Sequence, residues 1–179
     1  VKFSLNLGGL IACIMIILRK TYEAYIMKVR LLYISISGNT RSFVQRLVAY
    51  AASQNQYEFI PVEISDASMD AIEMAPYFAI VPTYLEGGTG TGPNVHELLT
   101  FALSDYIAYM NNANYLLGLV GSGNKNFDDQ YVLTAKRYAQ MYQVPLLADY
   151  ELRGLPDDVQ YVYQALVQRL VEWQATSGV

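Results

Sequence analysis

The residues that can do chemistry in this chain are gathered in three short loops. The first is Ser35-Ile36-Ser37-Gly38-Asn39-Thr40, which carries four hydroxyl or amide side chains and no charge. It joins an apolar run to a helix-forming segment. A helix N-terminus exposes free N–H groups at the positive end of its dipole, so it can hold a phosphate. Neutral donors in this number suit one terminal phosphomonoester; the plainer reading is a capped turn. No Gly-Lys-Ser/Thr and no G-x-G-x-x-G is present there, which sets aside a P-loop and a dinucleotide fingerprint. The second loop, Thr83-Tyr84-Leu85-Glu86-Gly87-Gly88-Thr89-Gly90-Thr91-Gly92, has four glycines in ten residues, more than a simple connection needs. Its backbone can turn toward a ligand edge, and Tyr84 can stack on a ring. The third, Ser122-Gly123-Asn124-Lys125-Asn126-Phe127, offers Asn124 and Asn126 to a polar ring edge and Phe127 to a ring face. An Asx turn with a core phenylalanine is the alternative.

The elements around these loops place them together. Val29–Ser35 is an apolar run interrupted only by Arg30 before its closing serine, as in a parallel strand buried on both faces. Asn39 or Thr40 can cap the helix that follows, whose Phe43, Val44, Leu47, Val48 and Ala51 fall at helical spacing. Residues 57–64 alternate as a second strand, where Pro61 indicates an edge position. Residues 65–75 are polar and irregular, with room for a short helix. Strands are expected at 77–82, 115–121 and within 145–152, and helices at 95–109, 130–142 and 156 to about 174. Pro156-Asp157-Asp158 is a well-formed start for the last of these. Strands alternating with helices mean a parallel, doubly wound sheet, an α/β three-layer sandwich. Five strands point to the flavodoxin-like order 2-1-3-4-5, with ligands beyond the carboxyl ends of the strands, beside strand 1. Strands 1, 3 and 4 end in the three unusual loops. Together these loops match a flavin mononucleotide (FMN), with its phosphate in the first and its ring between the other two.

Bulk composition narrows the chemistry further. The chain has 179 residues, 53% apolar, with a net charge of −4. That length suits one domain with a real core, and that balance argues against a nucleic-acid partner. With one cysteine (Cys13) and one histidine (His96), neither a Cys/His zinc site nor an internal disulfide can form. His96 is expected in the first turn of a helix, in a structural or exposed role. Residues 1–26 differ from the rest: from Phe3 to Leu18 they carry no charge, and Arg19 and Lys20 close the run. About 16 residues is short of a bilayer span. A poor signal peptide or anchor is one reading, and Leu10-Ile11-Ala12-Cys13 resembles a lipoprotein cleavage box. The preferred reading is an extension upstream of the true start, with Met27 as initiator and residues 27–179 as the FMN-binding domain.

S-x-S-G-N-T resembles the flavodoxin phosphate signature. PTYLEGGTGTG, GSGNKNF and VPLLADYELRG are similar to segments of the NrdI family, flavodoxin-like proteins that serve class Ib ribonucleotide reductase. The likeness covers about residues 29–172. Its specific parts are S-G-N-K-N-F and Tyr150-Glu151-Leu152-Arg153-Gly154, which ordinary flavodoxins lack. The longer glycine loop fits the streptococcal and lactobacillal NrdI-like branch.

The resemblance implies a cytoplasmic redox flavoprotein, an activation partner and not a conventional substrate-turnover enzyme. In that family, reduced FMN reacts with oxygen and passes an oxidant, chiefly superoxide, to the manganese-containing small subunit of the reductase. The dimanganese-tyrosyl radical cofactor needed for deoxyribonucleotide synthesis is thereby assembled or maintained. An electron donor, a reductase or thiol-redox protein, is a further implied partner. Carried over by motif, Ser35, Ser37, Gly38, Asn39 and Thr40 hold the phosphate. Thr83, Tyr84, Gly87 and Gly88 lie along the flavin, and Asn124, Asn126 and Phe127 contact its pyrimidine side. No catalytic acid, base or metal ligand is implied, because the flavin carries the chemistry. Three other readings compete: an ordinary electron-transfer flavodoxin, an adaptor that has lost its flavin, and a hydrolase of phosphorylated substrates. The intact first loop argues against the adaptor, and the shortage of catalytic side chains against the hydrolase.

Overall fold

The structure is a computed structural model that describes residues 26–86, 96–97 and 101–178, with positions 11, 14 and 15 besides. The expectations for the N-terminal extension, and for Gly87 and Gly88, concern residues outside this set. Among the described residues no helix is long and apolar enough to cross a membrane.

Among the described residues from 26 onward, seven strands and four α-helices follow in the order β1 (Met27–Tyr33), α1 (Asn39–Gln54), β2 (Tyr57–Glu63), β3 (Tyr77–Pro82), β4 (Leu85–Glu86), β5 (His96–Glu97), α2 (Phe101–Ala108), β6 (Leu116–Gly123), α3 (Leu133–Tyr142), β7 (Leu146–Glu151) and α4 (Pro156–Ser177). Five of the strands form one parallel sheet in the order β2-β1-β3-β6-β7, which is 2-1-3-4-5 when those five are counted along the chain. The expected fold is therefore present. Every residue of β3 is buried, as a central strand covered on both faces requires. Neighbouring residues then serve opposite layers. Leu31, Phe78 and Ile80 pack with Phe43 and Leu47 of α1 and with Val162 and Leu166 of α4. Leu32, Tyr77 and Ala79 pack with Leu103 and Ile107 of α2 and with Ala135 and Tyr138 of α3. β2 is an outer strand, with Pro61 opposite Leu31, as its proline indicated.

Three segments depart from the sequence expectations. Residues 65–75 form no helix, although alanine, methionine and glutamate favour one. Asn112, fully buried, accepts from the Glu73 amide at 2.8 Å and donates to the Ala71 and Tyr106 carbonyls, each at 2.9 Å. These side-chain bonds engage backbone groups of the segment that a helix would pair within itself. Glu73, 2% exposed, accepts from the Tyr106 hydroxyl at 2.9 Å and lies 3.3 Å from Arg30 Nε. Burial, then the bond to Glu73, pushes the Tyr106 phenol up to about 12. Of the helix expected over 95–109, the described part is α2, Phe101–Ala108, and His96, expected in its first turn, lies in β5, opposite Glu86. Strand β6 runs on to Gly123, so the first two residues of the third loop are strand.

Candidate functional site

Sheet topology brings the ends of β1, β3 and β6 side by side. A pocket of about 230 Å³ opens there, and none of its lining residues is charged. From the first loop it takes Ser37, Asn39 and Thr40; from the second, Thr83 and Tyr84; from the third, Asn124 and Phe127. Seven of the residues picked out in the sequence thus share one cavity. Ser35 and Gly38 belong to the same first loop but do not line the pocket. Asn126 is exposed beside it.

The first loop is capped differently from the sequence expectation. Neither Asn39 nor Thr40 is the N-cap of α1; Gly38 is, with φ 82°, a left-handed conformation that glycine adopts without penalty. Ser35 Oγ, at the end of the preceding strand, accepts from the Arg41 amide at 3.2 Å, and the Ser42 amide bonds to the Gly38 carbonyl at 3.0 Å. The Asn39 and Thr40 amides, in the first turn of α1, have no acceptor within the helix. Tyr84 ties the second loop to the first, its hydroxyl accepting from the Ile36 amide at 2.9 Å. Thr83 Oγ1 accepts from the Thr134 amide at 3.1 Å and so serves the N-terminus of α3. There the N-cap Val132 has φ 51° and its side chain caps nothing. In the third loop Asn124 Oδ1 accepts from the Asn126 amide at 3.0 Å, the Asx turn read as the alternative. Asp128 (φ 42°) and Val132 are strained positions, and both sit in the segment that holds Phe127 against the pocket.

With Thr40, residues not assigned to the site from the sequence complete the floor. The Ser122 and Thr40 hydroxyls are almost wholly buried and line the cavity. Beneath them the Tyr150 hydroxyl lies beside both, without a bond of good geometry to either. Burial pushes its phenol up. Tyr150 is stacked on Phe43 of α1, with ring centroids 3.6 Å apart. Leu152 closes one side, and Pro82 and Leu85 flank Tyr84. Ser122 follows a strand glycine, a pattern that reads as loop; Tyr150 reads as core. Both lie in segments that carry the family resemblance, yet nothing local marks either as part of the site.

Charge near the first loop is arranged at its edge. Arg41 donates through Nε to Glu63 Oε2 at 2.7 Å, and its Nη2 also meets Glu63 Oε1. The Arg41 hydrogen bond holds the Glu63 carboxyl below its ordinary value; burial opposes this, and the Tyr33 hydroxyl, 3.1 Å away, assists. The lowered value means that Glu63 contributes stability above its unfolded pKa of 4.5 and loses it as pH falls through the folded one. The thermal midpoint of the wild type is therefore expected to exceed that of Glu63→Gln at neutral pH, with the gap closing below pH of about 4. A gap independent of pH would remove the ion pair as its cause.

The doubly wound sheet, with its loops gathered at the carboxyl ends of β1, β3 and β6, defines a flavodoxin-like protein. The solved structure of oxidised flavodoxin 2 from Bacillus cereus superposes with a TM-score of 0.55, covering 79% of this chain and 99% of that one at 18% identity. The likeness is one of fold. At the level of sequence, the family model described as NrdI flavodoxin-like matches residues 31–164. An NrdI-like protein of Streptococcus pyogenes serotype M3 is 46% identical over 142 residues, 79% of this chain and 89% of that protein. Protein NrdI of Streptococcus pyogenes serotype M1 is 35% identical over 136 residues, 76% and 75% of the two chains. The chain belongs to the NrdI flavodoxin-like family.

Proposed function

We propose that this protein binds FMN and supplies an oxidant, superoxide, or electrons to class Ib ribonucleotide reductase. Its role there is to assemble or maintain the dimanganese-tyrosyl radical cofactor in the small subunit. The observation that carries the reading is the uncharged pocket where three loops meet, with a helix N-terminus on one wall and an aromatic ring on each of the other two. The donor set fits a flavin phosphate. The Asn39 and Thr40 amides, the Ser37 hydroxyl and the buried Thr40 hydroxyl present donors and no carboxylate. Tyr84 and Phe127 supply the apolar faces a ring system needs, and Asn124 an amide for its polar edge. By the family motif, Gly87 and Gly88, outside the described residues, would lie along the same ring. When bound, the flavin would supply the electron transfer and oxygen chemistry. The chain's own residues anchor it, hold its orientation and limit water at its faces. The 35% identity to a protein named NrdI supports the reductase as partner.

The test begins with a titration of the protein with FMN, followed by visible absorbance. Saturable binding with a shifted flavin spectrum is expected, and no binding ends the reading. The loaded protein is then mixed with reductant, oxygen and the manganese-loaded small subunit, and tyrosyl radical is sought by electron paramagnetic resonance. Flavin binding without radical would leave an electron-transfer flavodoxin.

A further inference from the structure

We infer that Arg153, on the turn between β7 and α4, is a positioning residue. Acting through Asn39, it sets the first loop for a charged phosphate and so selects phosphorylated over unphosphorylated flavin. The inference rests on the FMN reading above. Arg153 Nε donates to Asn39 Oδ1 at 2.8 Å, across 114 residues of sequence. A guanidinium has no acceptor, so only the oxygen end of the Asn39 amide can face it. The Nδ2 donor is left for the pocket, which Asn39 lines. Without Arg153 either end of the amide can face the ligand, and an oxygen turned toward an anion repels it.

Arg153 is itself fixed to the helix that carries the first loop. Arg46 of α1 donates to the Arg153 carbonyl and, at 3.1 Å, to the Gly154 carbonyl. The Gly154 amide closes the turn on the Glu151 carbonyl at 2.7 Å. Arg153 also lines a neighbouring cavity of about 480 Å³ that shares Asn39 and Leu152 with the flavin pocket, so its charge stands directly behind Asn39. The other cations near the pocket are engaged: Arg41 with Glu63, and Lys125 over the Tyr131 ring at 5.7 Å. Among the described residues no carboxylate pairs with Arg153.

Dissociation constants for FMN and for riboflavin, measured on the full chain, test this. Arg153→Ala is expected to weaken FMN about tenfold and riboflavin less than about twofold, as the loss of the Asn39 amide's aimed donation to a charged phosphate would. Arg153→Lys, which keeps the charge but not the planar Nε–H, should fall between wild type and Arg153→Ala. In Asn39→Ala the further change Arg153→Ala should cost less than about twofold, because the arginine acts through the amide. Equal weakening of both flavins, an unchanged FMN-to-riboflavin ratio, or additive losses in the double variant would overturn the inference while leaving FMN binding intact. A wild type that fails to bind FMN overturns both readings.

Discussion

Asn112→Ala is expected to lower the thermal unfolding midpoint by about 6–12 °C, corresponding to roughly 3 kcal/mol. The side chain is fully buried and makes three hydrogen bonds, all to backbone groups of the crossover between β2 and β3 or of the end of α2. Its removal orphans the buried Glu73 amide, at a cost on the order of 1–3 kcal/mol, and leaves a cavity; the Tyr106 carbonyl keeps the Tyr109 amide, and the carbonyl of the exposed Ala71 can turn to water. Some of this returns if water enters the space. Asn112→Asp keeps the acceptor for Glu73 but sets an oxygen against two carbonyls, so it should be at least as harmful. A loss below about 1 kcal/mol for Asn112→Ala, by differential scanning calorimetry, would mean that the crossover does not depend on this side chain.

The second large effect is expected at Gly154. A Cβ there would lie 2.7 Å from two carbon atoms of the Phe43 ring and 3.2 Å from Tyr150, and the residue has φ +66°. Neither ring can yield easily, because both are buried and stacked on each other. Gly154→Ala combines backbone strain with overpacking and should destabilise by about 2–4 kcal/mol in urea unfolding. The turn that must shift is the one Arg46 holds, so Arg153 should lose its register with Asn39. FMN affinity is then expected to fall more than riboflavin affinity. A stability change within about 0.5 kcal/mol would show that the turn accommodates a methyl group without moving.

How much of this was legible in the sequence depends on whether the signal was local. The strands were legible because β3 is a continuous apolar run and β1, despite Lys28 and Arg30, ends in one, as a sheet covered on both faces requires. Seven pocket residues were legible because hydroxyls, amides and glycines cluster where such strands end. Most of the missed features are made by partners far apart in the chain. Helix propensity at 65–75 yields to Asn112, some forty residues away. The cap of α1 falls to Gly38 because Ser35 and the strand end set the chain's direction there. Thr83 serves as a cap for a helix beginning at Leu133, and Tyr150 reads as an ordinary core tyrosine until its hydroxyl is found under Ser122 and Thr40. The YELRG motif identified the family without revealing its work. Three of its residues, Tyr150, Arg153 and Gly154, buttress the first loop from behind.

The position of Pro61 bears on how the molecule behaves in a crowded solution. An outer strand is an invitation to other chains, since its free flank can template a further strand. At Pro61 the β2 flank has no N–H to give, so a newcomer cannot form a continuous ladder along it. The opposite flank, β7, carries Asp149 and Glu151 near its end, where another acidic strand would be repelled. A parallel sheet open at both sides is thereby kept from growing sideways, and the protein's colloidal behaviour is governed by its edges as much as by its core.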